Sequence, residues 1–184
     1  MKYNNIKYKF RISNESMQLT PEQTQELKTI LTNCLVRLYT EDISLLQRRG
    51  LERSITFRLA LYLNEATRNV QWINQINETL RNQNELNELI KIDVEYNKNG
   101  LIPKRTPRRL NGAHPDIIIH RRRHNDLNIL VIEIKGWWDD RNRDDDRIKL
   151  EDFTHQEGEY MYGLGVLIEL HANNFATPEY FQTY

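Results

Sequence analysis

Three side chains of the types that carry out hydrolysis lie in two short apolar runs. Asp116 follows His114-Pro115 and opens Ile117-Ile118-Ile119-His120, while Glu133 and Lys135 sit inside Asn128-Ile129-Leu130-Val131-Ile132-Glu133-Ile134-Lys135-Gly136. Two β-branched runs flanking a polar, arginine-rich segment read as an antiparallel hairpin. Strand residues two apart share a face, so Glu133 and Lys135 project one way and Leu130, Ile132 and Ile134 the other. A hairpin folded symmetrically about its turn, with His120 opposite Ile129, sets Asp116 opposite Glu133. Opposed Cβ atoms lie about 4.5–5.5 Å apart, and two carboxylates held so close repel unless a cation lies between them. The pair therefore predicts a site for Mg²⁺ or Mn²⁺. Lys135 beside it supplies an ammonium to orient or polarise an attacking water, which together suits metal-assisted hydrolysis.

Pro115-Asp116 followed by Glu133-Ile134-Lys135 resembles the signature of the PD-(D/E)xK nuclease superfamily, the restriction-endonuclease-like fold. With Asp93-Val94-Glu95-Tyr96-Asn97 and Tyr162-Gly163-Leu164-Gly165-Val166, the chain is similar to a group of bacterial members across roughly residues 50 to 170. The resemblance implies an α/β domain: a mixed sheet of four or more strands flanked by helices. Its elements are a helix bearing a glutamate, a three-stranded antiparallel meander with the acidic motif, a second helix and a further strand. It also implies that Glu52, in Leu51-Glu52-Arg53-Ser54, reaches the metal directly or through water, with Glu65 as the fallback. The backbone carbonyl of Ile134 becomes an additional ligand, and the reaction is phosphodiester hydrolysis of nucleic acid, DNA in preference to RNA. Read from the residues alone, Glu52 is a surface acid beside the stripe Leu51, Ile55, Leu59, Tyr62 and Ala66, paired with Arg48 or Arg49.

The elements that must hold these groups are legible around them. At 184 residues the chain fits one domain, with residues 44–172 as its core and a helix at 20–40 added before it. Thr20-Pro21-Glu22-Gln23 is a helix start with a capping box. Leu27, Ile30, Leu31, Cys34, Leu35 and Leu38 then form an apolar stripe. A second helix runs from Ser44 or Leu51 to Ala66, with a break at Gly50. A third covers residues 67 to 88 and decays into a polar loop around Asn82 to Asn87. Ile90 to Tyr96 alternates as a half-buried strand, whose Asp93 and Glu95 share a solvated face. Asp146 to Phe153 begins the second core helix, with Ile148 facing inward and Leu150 and Phe153 placed by its exact register, and its aspartates favour the helix dipole without a catalytic role. Tyr160 to Leu170 is a strand covered on both faces, Asn173 to Tyr184 a capping tail, and Tyr8, Phe10 and Ile12 a weak strand or arm.

Lys plus Arg number 26, as do Asp plus Glu, so formal net charge is zero and attraction to nucleic acid must come from a local patch. Arg105, Arg108 and Arg109 precede the hairpin, Arg122 lies in its turn, and Arg141 and Lys149 follow Lys135. Cationic forks near the metal would grip phosphate. Trp137-Trp138 either stacks on a base or, as the commoner use, seals a core edge. His120 and His124 stand four apart in a hairpin turn, a poor basis for zinc, while His114 is a rim residue or an added ligand. The lone Cys34 excludes an internal disulfide framework and fits a reducing compartment. With neither an apolar leader nor a run near the ~20 residues of a membrane span, a cytoplasmic protein is expected. Its partner would be nucleic acid, with a second copy or another protein needed to cut both strands. A non-catalytic module of the same fold, binding nucleic acid or protein, is the alternative.

Overall fold

The computed structural model describes residues 18–99 and 101–182, so the weak alternation near Tyr8 lies outside the described residues. Helix α1 spans Pro21–Glu41. It starts at the expected capping box: Gln23 N–H donates to Thr20 Oγ1 at 3.2 Å and Thr20 N–H to Gln23 Oε1 at 2.9 Å. Its stripe buries Leu27, Leu31, Cys34, Leu35 and Leu38, and burial pushes the Cys34 thiol up to about 11.

The break expected at Gly50 separates two helices, α2, Ile43–Leu46, and α3, Glu52–Thr67, so the second helix begins at the Leu51 alternative. Gly50 separates them at φ +80°, a left-handed conformation that costs any residue with a Cβ about 1–2 kcal/mol. Helix α4, Gln71–Asn82, buries Trp72, Ile73, Ile76 and Leu80 and gives way to a polar loop at the expected place.

Five strands form one sheet in the order β1-β4-β5-β6-β7, with β1 at Ile90–Val94, β4 at Ile117–Arg121, β5 at Asn128–Lys135, β6 at Leu164–Glu169 and β7 at Glu179–Phe181. Two-residue strands β2, Lys98–Asn99, and β3, Ile102–Pro103, make a separate hairpin. Among the described residues only β5 and β6 pair in parallel, and α5, Asp144–Thr154, connects them. The sheet is thus mixed and flanked by helices, as expected of the fold class. The tail read as a cap contributes the edge strand β7, whose three residues are too few to show a period of two in sequence.

The hairpin register corrects one expectation. Ile117, Ile118 and Ile119 face Ile132, Val131 and Leu130 as symmetry requires, but His120 opposes Asn128, not Ile129, because the ladder shifts there. The irregularity absorbs one residue at the turn end and leaves the Asp116 end in register.

The faces correct a second. Ile117, Ile119, Leu130, Ile132, Ile134, Val166 and Ile168 pack against α1, α3 and α4, while Ile118, Val131 and Leu167 pack against Leu150, Phe153, Tyr160 and Tyr162. The face carrying Glu133 is therefore apolar and covered too. Strand β5 is buried from Asn128 to Ile134, as a central strand between two helical layers must be.

Candidate active site

Asp116 ends the loop that leads into β4. Its backbone N–H donates to Ile132 O at 3.2 Å, and its Oδ2 accepts the Ile134 N–H at 2.6 Å. The carboxylate thus completes the ladder that β4 has not yet begun, which fixes it beside Glu133. A strand residue points its N–H and C=O to the same side, so the Ile134 carbonyl opens toward this same corner. Burial pushes the Asp116 carboxyl up to about 6; Ile134 N–H, Lys149 and Lys135 act against that rise, and Glu52 adds to it.

Glu133 is 0% exposed, and neither carboxylate oxygen receives a well-directed hydrogen bond among the described residues. Burial drives its pKa well above the ordinary range, against the pull of Lys149 and with further push from Asp116. The Lys149 ammonium, arriving from α5, stands 2.5 Å from Glu133 Oε2 and also donates to His114 O at 3.3 Å. Lys135 does not touch Glu133. Its ammonium lies 3.7 Å from Asp146 Oδ1, and that of Lys149 lies 3.7 Å from the same atom.

Asp146 is the residue that sequence reasoning missed. Read as a helix-dipole acid, it is instead 8% exposed and stands between the two lysines. The signal was present: Asp146, Lys149, Leu150 and Phe153 recur at i, i+3, i+4 and i+7, one helical face. Leu150 and Phe153 are buried on that face, whereas Ile148, expected inward, is only half-buried.

Glu52 opens α3 in the opposite layer, near enough to Asp116 for its charge to raise that carboxyl further. It lines an open cleft of 390 Å³ with Trp138, Asp139, Asp140 and Arg141. Gly136 makes this wall possible, because a Cβ there would lie 2.3 Å from the Trp138 ring. Trp138 borders the large core, and Trp137, T-shaped to it at 5.7 Å, donates its indole N–H to Leu46 O at 2.9 Å. The fallback Glu65 pairs with Arg37, another site altogether. Neither Arg48 nor Arg49 pairs with Glu52; Arg49 lies over the Trp137 ring at 5.4 Å.

The basic residues do not gather into one free patch. Arg108 is bound to Asp152 at 2.6 Å and to Glu151 at 3.1 Å, and Arg109 to Asp145 at 2.8 Å, so both strap the loop before β4 onto α5. Arg122 holds Asp93 at 2.5 Å, and Arg141 holds Asp139 at 2.6 Å. Arg105 is exposed, its backbone N–H given to the Tyr160 hydroxyl at 2.9 Å. Sequence could not separate these roles, because the acids that hold Arg108, Arg109 and Arg122 lie far away along the chain and the fold chooses the partners.

Asp93, expected in solvent, is instead mostly buried, with the His120 Nε2 at 3.0 Å as well as Arg122. Burial would raise its carboxyl, but Arg122 and His120 outweigh it and hold Asp93 well below the usual carboxylate range. His124 pairs with Glu88 at 3.0 Å, and the His114 ring lies beside Asn97. Next to this cluster, Lys104 is 2% exposed, its ammonium 4.6 Å from the centre of the Tyr160 ring and 5.7 and 6.0 Å from those of Tyr162 and Tyr96. Burial lowers its pKa to about 8.

Comparison with protein-family models, characterised proteins and solved structures gives no significant match. Among the described residues no helix is long and apolar enough to cross a membrane, and no three His, Cys, Asp or Glu side chains converge as a metal-binding group. Two carboxylates remain a sufficient protein contribution for Mg²⁺, which keeps several waters and accepts one or two acids. The fully buried Glu133 carboxylate beside Asp116 fits such an ion, and the Lys149 ammonium on its Oε2 already occupies a cation's place there.

Proposed function

We propose that the chain is a metal-dependent nuclease acting on DNA in preference to RNA. One observation supports this above the rest: Asp116, at the entry to β4, lies beside Glu133 of β5, which is wholly buried with the Lys149 ammonium on one oxygen, and Lys135 and Lys149 share Asp146 next to them. Burying charge costs a domain stability even when it is paired, and such sites cluster where chemistry needs them.

Asp116, Glu133 and the Ile134 carbonyl would hold Mg²⁺ or Mn²⁺, with Glu52 holding the ion's waters from across the cleft. When bound, the ion would supply Lewis-acid stabilisation of the phosphoryl oxygens and a water of lowered pKa. Lys135 orients the attacking water, and Asp146 positions the Lys135 ammonium. Asp116 and Glu133 must be ionised to act. Arg105, the exposed cation of the basic set, stands available for the phosphate backbone, while Arg108, Arg109, Arg122 and Arg141 are held by acids within the chain.

Incubation with plasmid DNA and Mg²⁺ or Mn²⁺ should give nicked or linear product, and excess EDTA should stop it. No cleavage of DNA or RNA under any divalent cation, or cleavage that persists in EDTA, refutes the proposal. Glu52→Gln should slow cleavage about 10–100-fold, as loss of an outer-shell group does. Stability should change by less than about 0.5 kcal/mol, since Glu52 is half-exposed at a helix start.

The second reading, a module that binds without cutting, draws on the Lys149–Glu133 ion pair. An amine that neutralises the central acid is what a scaffold without metal would keep. DNA binding that survives EDTA, with no cleavage, favours it.

A further inference from the structure

The reaction assigned above needs one ammonium beside the acids, yet the site holds two, on different elements. Lys135 extends from β5 and reaches only Asp146, whereas Lys149 extends from α5 and stands 2.5 Å from Glu133 Oε2. A divalent ion ligated by that carboxylate would meet the ammonium as a like charge at contact distance, in a pocket where burial weakens screening. Repulsion between them therefore makes the two cations compete for Glu133. Lys149 has somewhere to go: its side chain is 14% exposed, its stem is four flexible carbons, and it already contacts Asp146 Oδ1 and His114 O.

We infer that Lys149 is a displaceable counter-ion, occupying Glu133 in the metal-free protein and ceding it when a divalent ion binds. This rests on the reading of Asp116 and Glu133 as metal ligands and adds a control on their occupancy. In the metal-free protein the ammonium stands in the ion's place at Glu133. Its competition then sets the ion concentration at which the site loads.

Isothermal titration of Mn²⁺ alone into the full chain tests this without reference to cleavage. Lys149→Gln keeps a hydrogen-bond donor but removes the competing charge, and should bind Mn²⁺ about ten-fold tighter than the wild type, within the usual span of coupling between sites. Lys149→Arg keeps the charge and adds a planar fork suited to carboxylate, and should bind several-fold more weakly. Its conserved charge makes it the variant to rely on should the glutamine form fail to fold. Affinities equal to wild type in the variants that fold, or weaker in Lys149→Gln, overturn the inference and leave the metal site standing. Absence of Mn²⁺ binding in all three proteins overturns the metal site and the inference together.

Discussion

Asp116→Asn should yield a protein that is more stable than the wild type and inactive. The asparagine oxygen can still accept the Ile134 N–H, so the β4–β5 junction is kept. What disappears is a buried charge. Burial raises the Asp116 carboxyl from 3.8 to about 6, so the folded protein binds this proton more tightly than the unfolded chain does. A group raised in this way favours folding below the unfolded value, and that advantage is lost as pH climbs through the folded value. Metal-free wild type should therefore lose about 2–3 kcal/mol between pH 4 and pH 6 from this group, an order-of-magnitude figure from the free energy of a pKa change. Asp116→Asn should escape the loss, its advantage absent near pH 4 and complete above pH 6 in urea denaturation. Cleavage should fall at least about 10³-fold, by analogy with removal of a preorganised electrostatic group, and Lys135→Ala should fall comparably. Full activity in both variants would remove Asp116 and Lys135 from the mechanism.

Lys104→Met should also stabilise the protein, for the opposite electrostatic reason and with the opposite pH dependence. Lys104 is 2% exposed, and burial lowers its pKa from 10.5 to about 8. The folded state thus binds this proton less tightly than the unfolded chain, so wild-type stability should rise as pH climbs from about 8 to about 10.5. The full differential is about 3 kcal/mol. Attraction of the ammonium to the Tyr160 ring at 4.6 Å returns about 1–2 kcal/mol of it. Methionine fills similar volume without charge, so a gain of about 1–2 kcal/mol at pH 7 is expected, shrinking toward zero near pH 10. Denaturant midpoints at the two pH values measure it. A loss above about 1 kcal/mol at pH 7 would show that the tyrosine cage outweighs the burial of charge.

Both residues illustrate where local sequence informs and where it stops. The pairing of Asp116 with Glu133 was legible because strand geometry has a period of two and a hairpin has a mirror, so two short runs and the turn between them specify which residues meet. The capping box at Thr20, the break at Gly50 and the inward faces of α1, α3 and α4 were legible for the same local reason. The bulge at His120 was not, since one absorbed residue leaves no mark on the pattern around it. Nor was Lys104, whose burial depends on three tyrosines, two of them more than fifty positions away.

By itself, then, the sequence determined the α/β class and most of the helices and central strands, and set Asp116 next to Glu133, while the amine on Glu133 is Lys149 and not the expected Lys135. What it determined follows from spacing over a few residues, where backbone geometry leaves little freedom. Only the tertiary structure decided that the face bearing Glu133 is buried, that Asp146 and Lys149 belong to the site, and that Arg108, Arg109 and Arg122 are committed to acids within the chain. Those outcomes turn on which distant charges the fold brings within 4 Å. A charged side chain does not carry that choice in its own neighbourhood, because burial and partner together set its energy.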